Sequence, residues 1–129
     1  MSDNESPGNR PRESGIEAAS IFSRIISGEI PSDILYQDDQ CFVIADIQPQ
    51  APTHLLLIPR QEIPRLVDAG KEHQGLLGHM MLVAGQMAKK FGIGDAFRLV
   101  INNGENAGQT VFHLHMHIMG NKKFDEADL

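Results

Sequence analysis

Only one cysteine, Cys41, stands in 129 residues. That excludes an internal disulfide and a four-cysteine zinc cage, and it suits a reducing, cytoplasmic compartment. No stretch approaches the ~20 consecutive apolar residues of a membrane span; His, Gln, Pro or Gly interrupts every uncharged run. Basic residues are also scarce. Eleven Lys and Arg stand against 17 Asp and Glu, a formal net charge of −6. A duplex ligand wants a basic face, so nucleic acid is not the expected partner, whereas local donors can still hold a small anion. What remains is a chain of one-domain length, 41% hydrophobic and 22% charged, ordinary for a folded domain.

Residues 1–17 lack aliphatic side chains until Ile16 and are rich in Ser, Gly, Pro, Asn and charge. Such a segment cannot offset its ordering entropy, so a disordered tail is expected, with one domain over 18–129. It also has no apolar core of a secretory signal. Order is expected from about Glu17, where Ala18, Ile21, Phe22, Ile25 and Ile26 recur at helical spacing and Gly28 marks the end. Ile34–Tyr36 and Cys41–Ala45 read as paired strands, and His54–Ile58 as a central one closed by Pro59. Glu62–Val67 reads as a short helix. A longer helix spans Glu72–Phe91, with Leu76, Leu77, Met80, Met81, Ala84, Met87, Ala88 and Phe91 on one face. Phe97–Ile101 and Val111–Met119 complete the set. The expected fold is α+β: an antiparallel meander of about five strands, an N-terminal helix and a long central helix.

Six histidines are an unusual endowment for this length, and three fall in Phe112-His113-Leu114-His115-Met116-His117-Ile118-Met119. On a strand, strict alternation puts His113, His115 and His117 on one face and Leu114, Met116 and Ile118 on the other. The apolar face would pack under the long helix, leaving the imidazoles to line a cleft. Three readings compete. The face is an incidental polar surface; or two histidines share a zinc ion with His54, Asp46 or Glu105; or a neutral imidazole is a nucleophile oriented by its neighbours. The preceding loop, Asn102 to Thr110, joins glycines to amide and hydroxyl donors, a composition that can cradle phosphate oxygens.

His-Leu-His-Met-His-Ile-Met resembles the motif of the histidine triad (HIT) family. Ile21-Phe22, Ile25-Ile26, Glu29-Ile30-Pro31, the run Asp46 to His54, and Gly108-Gln109-Thr110-Val111 are similar to its Hint branch, so the resemblance covers about Ala18 to Gly120. It implies a purine nucleoside phosphoramidase-like hydrolase working through a nucleotidyl-histidine intermediate and releasing AMP or GMP. His115 would attack the α-phosphorus, His117 would contact phosphate and leaving group, and His113 and His54 would orient the triad and relay protons. Asn102, Gly108, Gln109, Thr110 and Val111 match phosphate-loop positions, with Thr110 replacing a more usual serine. Asp46 matches a ribose ligand, and Ile21, Phe22, Ile25, Ile44 and Ile47 match the apolar walls around the purine.

Neither a metal nor a cofactor is expected, and a homodimer is, packed through the long helix and a sheet edge with Met80, Met81, Val83 and Met87 as candidate contacts. This chain lacks the cysteines of the galactose-1-phosphate uridylyltransferase branch, the arginine that follows the triad in some dinucleoside-polyphosphate hydrolases, and the C-terminal tryptophan of animal Hint proteins. A nucleotide-binding regulatory module with little turnover and a zinc-dependent hydrolase are the alternatives.

Overall fold

The computed structural model describes residues 19–128; the expected tail and the expected helix start at Glu17 lie outside them. Helix α1 spans Ile21–Ile26, capped by the Ser20 hydroxyl, which accepts from the Ser23 amide. It ends where Gly28 takes a φ of 88°, a left-handed conformation that costs glycine little. Five strands follow: β1 Ile34–Gln37, β2 Cys41–Ala45, β3 Thr53–Pro59, β4 Phe97–Val100 and β5 Met116–Gly120, with helix α2, Gln74–Lys90, between β3 and β4. The sheet is wholly antiparallel, in the order β1-β2-β3-β5-β4. The first three strands form a meander. The last two form a pair entered in reverse, β5 lying beside β3, so the strand order is not strictly sequential.

Side-chain alternation gives the sheet two unlike faces. Cys41, Val43, Leu55, Leu57, Leu114, Met116 and Ile118 point to one face and pack against Met80, Val83, Ala84, Met87 and Ala88 of α2. On the other, Phe42, Ile44, Leu56 and Ile58 close over Phe22 of α1. That second layer is small, and it leaves the β3–β5 end of its face to the histidines.

Three features depart from the sequence reading. Of Glu62–Val67, only a 3-10 turn at Leu66–Asp68 forms. The buried face of α2 includes Val83, while Met81 is 54% exposed; Met80, Val83 and Met87 are core and are not available as dimer contacts. The last strand begins at Met116 rather than Val111. Pro59 at the end of β3 has no N–H to extend the ladder, and the Leu114 amide turns instead to the Ile63 carbonyl at 2.7 Å. His113 and His115 therefore precede the strand that carries His117.

Candidate active site

The imidazoles of His113, His115 and His117 nonetheless share one side of the sheet. The rings of His115 and His117 stand 5.1 Å apart between centroids. Phe22 meets His113 and His115 edge-on at 5.6 and 4.9 Å. Leu114, Met116 and Ile118 are buried on the opposite side. The alternation survives although only the final histidine is in a regular strand.

Hydrogen bonds fix the proton on each ring. His113 is fully buried; its Nε2–H donates to the Pro59 carbonyl oxygen at 2.6 Å. Nδ1 is then an acceptor, and it takes the hydroxyl proton of Ser20. His115 donates Nδ1–H to the main-chain oxygen of His113 at 2.8 Å. Its Nε2 therefore carries a lone pair, with no hydrogen-bond partner among the described residues. His54 accepts the Gln50 amide on Nδ1 at 2.9 Å, so its proton is on Nε2, 2.9 Å from His117 Nδ1. That bond leaves the proton of His117 on its own Nε2. The contact exists because His54 pairs with Met119 and Leu56 with His117 across the β3–β5 ladder, which makes the two histidines diagonal neighbours.

All four rings favour the neutral form. Burial holds His54, His113 and His115 below the ordinary imidazole value of 6.5. His117 is pushed down to about 4 by burial first, then by His115 and His54, with Asp46 opposing. These shifts have a sign in stability. Between pH 6.5 and the folded-state values the unfolded chain binds protons that the folded chain does not, so stability falls as pH falls through that window. Thermal melts at about pH 7.5 and about pH 5 are expected to show a lower midpoint in acid, and a smaller drop in His117→Gln. Equal midpoints for the wild-type chain would contradict the neutral assignment.

Asp46 continues the β2–β3 ladder, its amide donating to the His54 carbonyl oxygen at 2.9 Å. One carboxylate oxygen accepts from the Gln48 amide; the other is 3.3 Å from His54 Nε2 and 4.0 Å from His117 Nδ1. Ligand atoms of Asp46, His54 and His117 all lie within 4.8 Å of one another, so these three could hold a metal ion. Glu105, the other acidic candidate, is exposed in a 3-10 turn and is not part of that group.

The loop before the triad is a built structure. Gly104 and Gly108 both have a φ of 95°, which a side chain would strain. Asn102 donates to the Ala107 carbonyl oxygen. Gln109 is buried, and its amide is fully engaged: Oε1 accepts from the Gly104 amide at 2.7 Å, and Nε2 donates to the carbonyl oxygens of Pro64 and Val111. It shapes the loop rather than presenting a free donor. Thr110 is exposed, and Val111 packs beside Phe22 and Ile44.

Among the expected purine-wall residues, Phe22 and Ile44 are core, Ile25 is partly buried against them, Ile21 is 46% exposed and Ile47 is 94% exposed. Sequence reasoning missed Ser20, Gln50 and Pro59. Only Ser20 had a signal, as a serine directly before a helical apolar pattern; the other two act through the main chain. His73 and His79 lie away from the triad, His73 bonding Gln61 and Gly70, and His79 bonding Asp38.

Among known proteins, the model of the HIT domain matches residues 27–124. An uncharacterised HIT-like protein of Synechocystis is 56% identical over 104 residues, 81% of this chain and 91% of its own length. The purine nucleoside phosphoramidase of Escherichia coli K12 is 50% identical over 103 residues, 79% of this chain and 87% of the relative. The crystal structure of a HIT family hydrolase from Legionella pneumophila superposes with a TM-score of 0.81 at 34% identity, covering 84% of this chain and 97% of that one. With the family model spanning most of the sequence and the fold and triad in place, the chain belongs to the HIT domain family.

Proposed function

We propose that the chain is a hydrolase of purine nucleoside phosphoramidates, working through a nucleotidyl intermediate on His115 and releasing AMP or GMP. The observation that carries this reading is the unprotonated Nε2 of His115: its other nitrogen donates to a fixed main-chain oxygen, and burial keeps the ring neutral. A neutral imidazole with a set tautomer needs no further activation to attack phosphorus. In the first step the substrate's amide nitrogen takes a proton from solvent, the His115 Nε2–phosphorus bond forms as the phosphorus–nitrogen bond breaks, and the neutral amine leaves. In the second, water attacks phosphorus, breaks the bond to His115 and gives its proton to solvent, which restores the neutral ring. The neutral His117 keeps its single proton on Nε2 as a donor to the phosphate and leaving group, and the His54 ring behind it holds that tautomer. Asp46 is assigned to the ribose hydroxyls, Asn102, Gly108, Gln109, Thr110 and Val111 to the phosphate loop, and Ile21, Phe22, Ile25, Ile44 and Ile47 to the purine side. The phosphoramidase name of the Escherichia coli relative supports the substrate class.

A second reading has its own observation, the convergence of Asp46, His54 and His117, which suits a zinc-dependent hydrolase. Incubation with an adenosine phosphoramidate, with and without chelator, together with metal analysis, separates the two. Release of AMP at an undiminished rate in chelator is expected. Loss of activity on chelation, with one metal per chain recovered, would favour zinc. Tight AMP binding without turnover would favour a regulatory module.

A homodimer belongs to the same proposal. Met81, one of the expected contacts, is 54% exposed on α2 and remains a candidate, joined by Leu82 at 69%, while Met80, Val83 and Met87 are buried. Placement in the cytoplasm accords with the buried free thiol of Cys41 and with the absence, among the described residues, of a helix long and apolar enough to cross a membrane.

A further inference from the structure

Ser20 is bonded on every side. Its amide donates to Glu62 Oε2 at 3.0 Å. Its Oγ accepts the Ser23 amide at 3.0 Å, the N-cap bond of α1. Its hydroxyl proton goes to Nδ1 of the buried His113, 93 residues along the chain. Because the far nitrogen of His113 must donate to the Pro59 carbonyl oxygen, the hydroxyl is the group that completes the ring's hydrogen bonding. The main-chain oxygen of that same residue holds the His115 ring, and Phe22, two residues beyond Ser20, packs edge-on against both imidazoles. One short helix therefore meets the triad twice, by a hydroxyl at its cap and by a ring in its first turn.

We propose that Ser20 is a positioning residue: its hydroxyl locks the neutral Nε2–H form of His113 and, through the main chain of that residue, aims His115. The effect on turnover rests on the reading of His115 as nucleophile; the effect on His113 does not. Three substitutions separate positioning from helix capping. Ser20→Thr keeps both the cap and the hydroxyl. Ser20→Gly keeps most of the capping preference and deletes the hydroxyl. Ser20→Asp keeps the cap but offers only an acceptor, which favours a second proton on His113.

Imidazole nitrogen NMR of wild type and variants is read beside steady-state kinetics on an adenosine phosphoramidate. In the wild type, His113 should carry its proton on Nε2 and accept on Nδ1. Ser20→Gly should lower kcat roughly 10–100-fold, by analogy with the loss when the partner behind a metal-ligating histidine is removed, with KM changed far less. Ser20→Thr should restore kcat, and Ser20→Asp should show a doubly protonated His113. A wild-type His113 protonated on Nδ1 overturns the proposal without recourse to any variant. So does Ser20→Gly with unchanged kcat and unchanged His113 and His115 resonances. If the wild type fails to turn over phosphoramidate, the functional reading falls while the NMR comparison still decides whether Ser20 holds His113.

Discussion

His115→Ala is expected to lower kcat on an adenosine phosphoramidate by a factor on the order of 10⁴–10⁶, the range seen when a nucleophile is deleted. The size follows from what the substitution removes. The attacking lone pair is gone, and with it the two-step route; direct attack by water would lack an oriented nucleophile in a buried site. Binding should suffer much less, because the residues proposed above to hold ribose, phosphate and purine remain. The lost ring gives up one bond to the His113 carbonyl oxygen and its contacts with Phe22 and His117, so a thermal melt of the variant is read beside the kinetics. Single-turnover kinetics with product binding measured in parallel gives the test. A variant that retains a tenth of the wild-type kcat would remove His115 from the nucleophile's role.

Gln109→Ala should produce the largest loss of stability among the loop residues, about 2–4 kcal/mol. Its three amide bonds join the Gly104 end of the loop to Val111 and to Pro64 on the neighbouring segment. Truncation leaves a half-buried donor and two half-buried carbonyl oxygens without their partner, and a desolvated polar group left unmatched costs more than its bond contributed. The same lesion should loosen the turn in which Gly104 and Gly108 take positive φ, so kcat/KM should fall with KM raised. Urea denaturation at constant m-value checks the first effect. A midpoint within error of wild type would show that the Gln109 amide is dispensable to the loop.

Much of this architecture was written in periodicity. The alternation from His113 to Ile118 implied two faces, and the faces are found even where the strand is not. Leu114 keeps to the apolar side although its amide bonds to Ile63 instead of a strand neighbour. The false start of β5 has a local cause in Pro59, whose effect on a strand distant in sequence depends on a pairing that single-chain patterns do not reveal. For the same reason the reversed entry of β4 and β5 was hidden: either strand satisfies alternation beside β3. The buried stripe of α2 was off by Met81 and Val83 because a helix with many methionines and alanines has several comparable apolar faces. At the site, residue types announced the triad, Asp46 and His54. Main-chain partners could not be read, since the Pro59 and His113 carbonyl oxygens and the Gln50 amide carry no side-chain signature. They are the groups that assign the protons.

Base-quenched rapid mixing with peptide mapping tests most directly whether phosphorus is bonded transiently to His115 Nε2. Wild-type chain is mixed with an adenosine phosphoramidate carrying a labelled phosphate, quenched during the first turnover and digested. The expected result is a nucleotidyl group on the peptide containing His115, localised to that imidazole and lost as AMP forms. Label on His54, His113 or His117, or full turnover with no labelled peptide at any time, would contradict it.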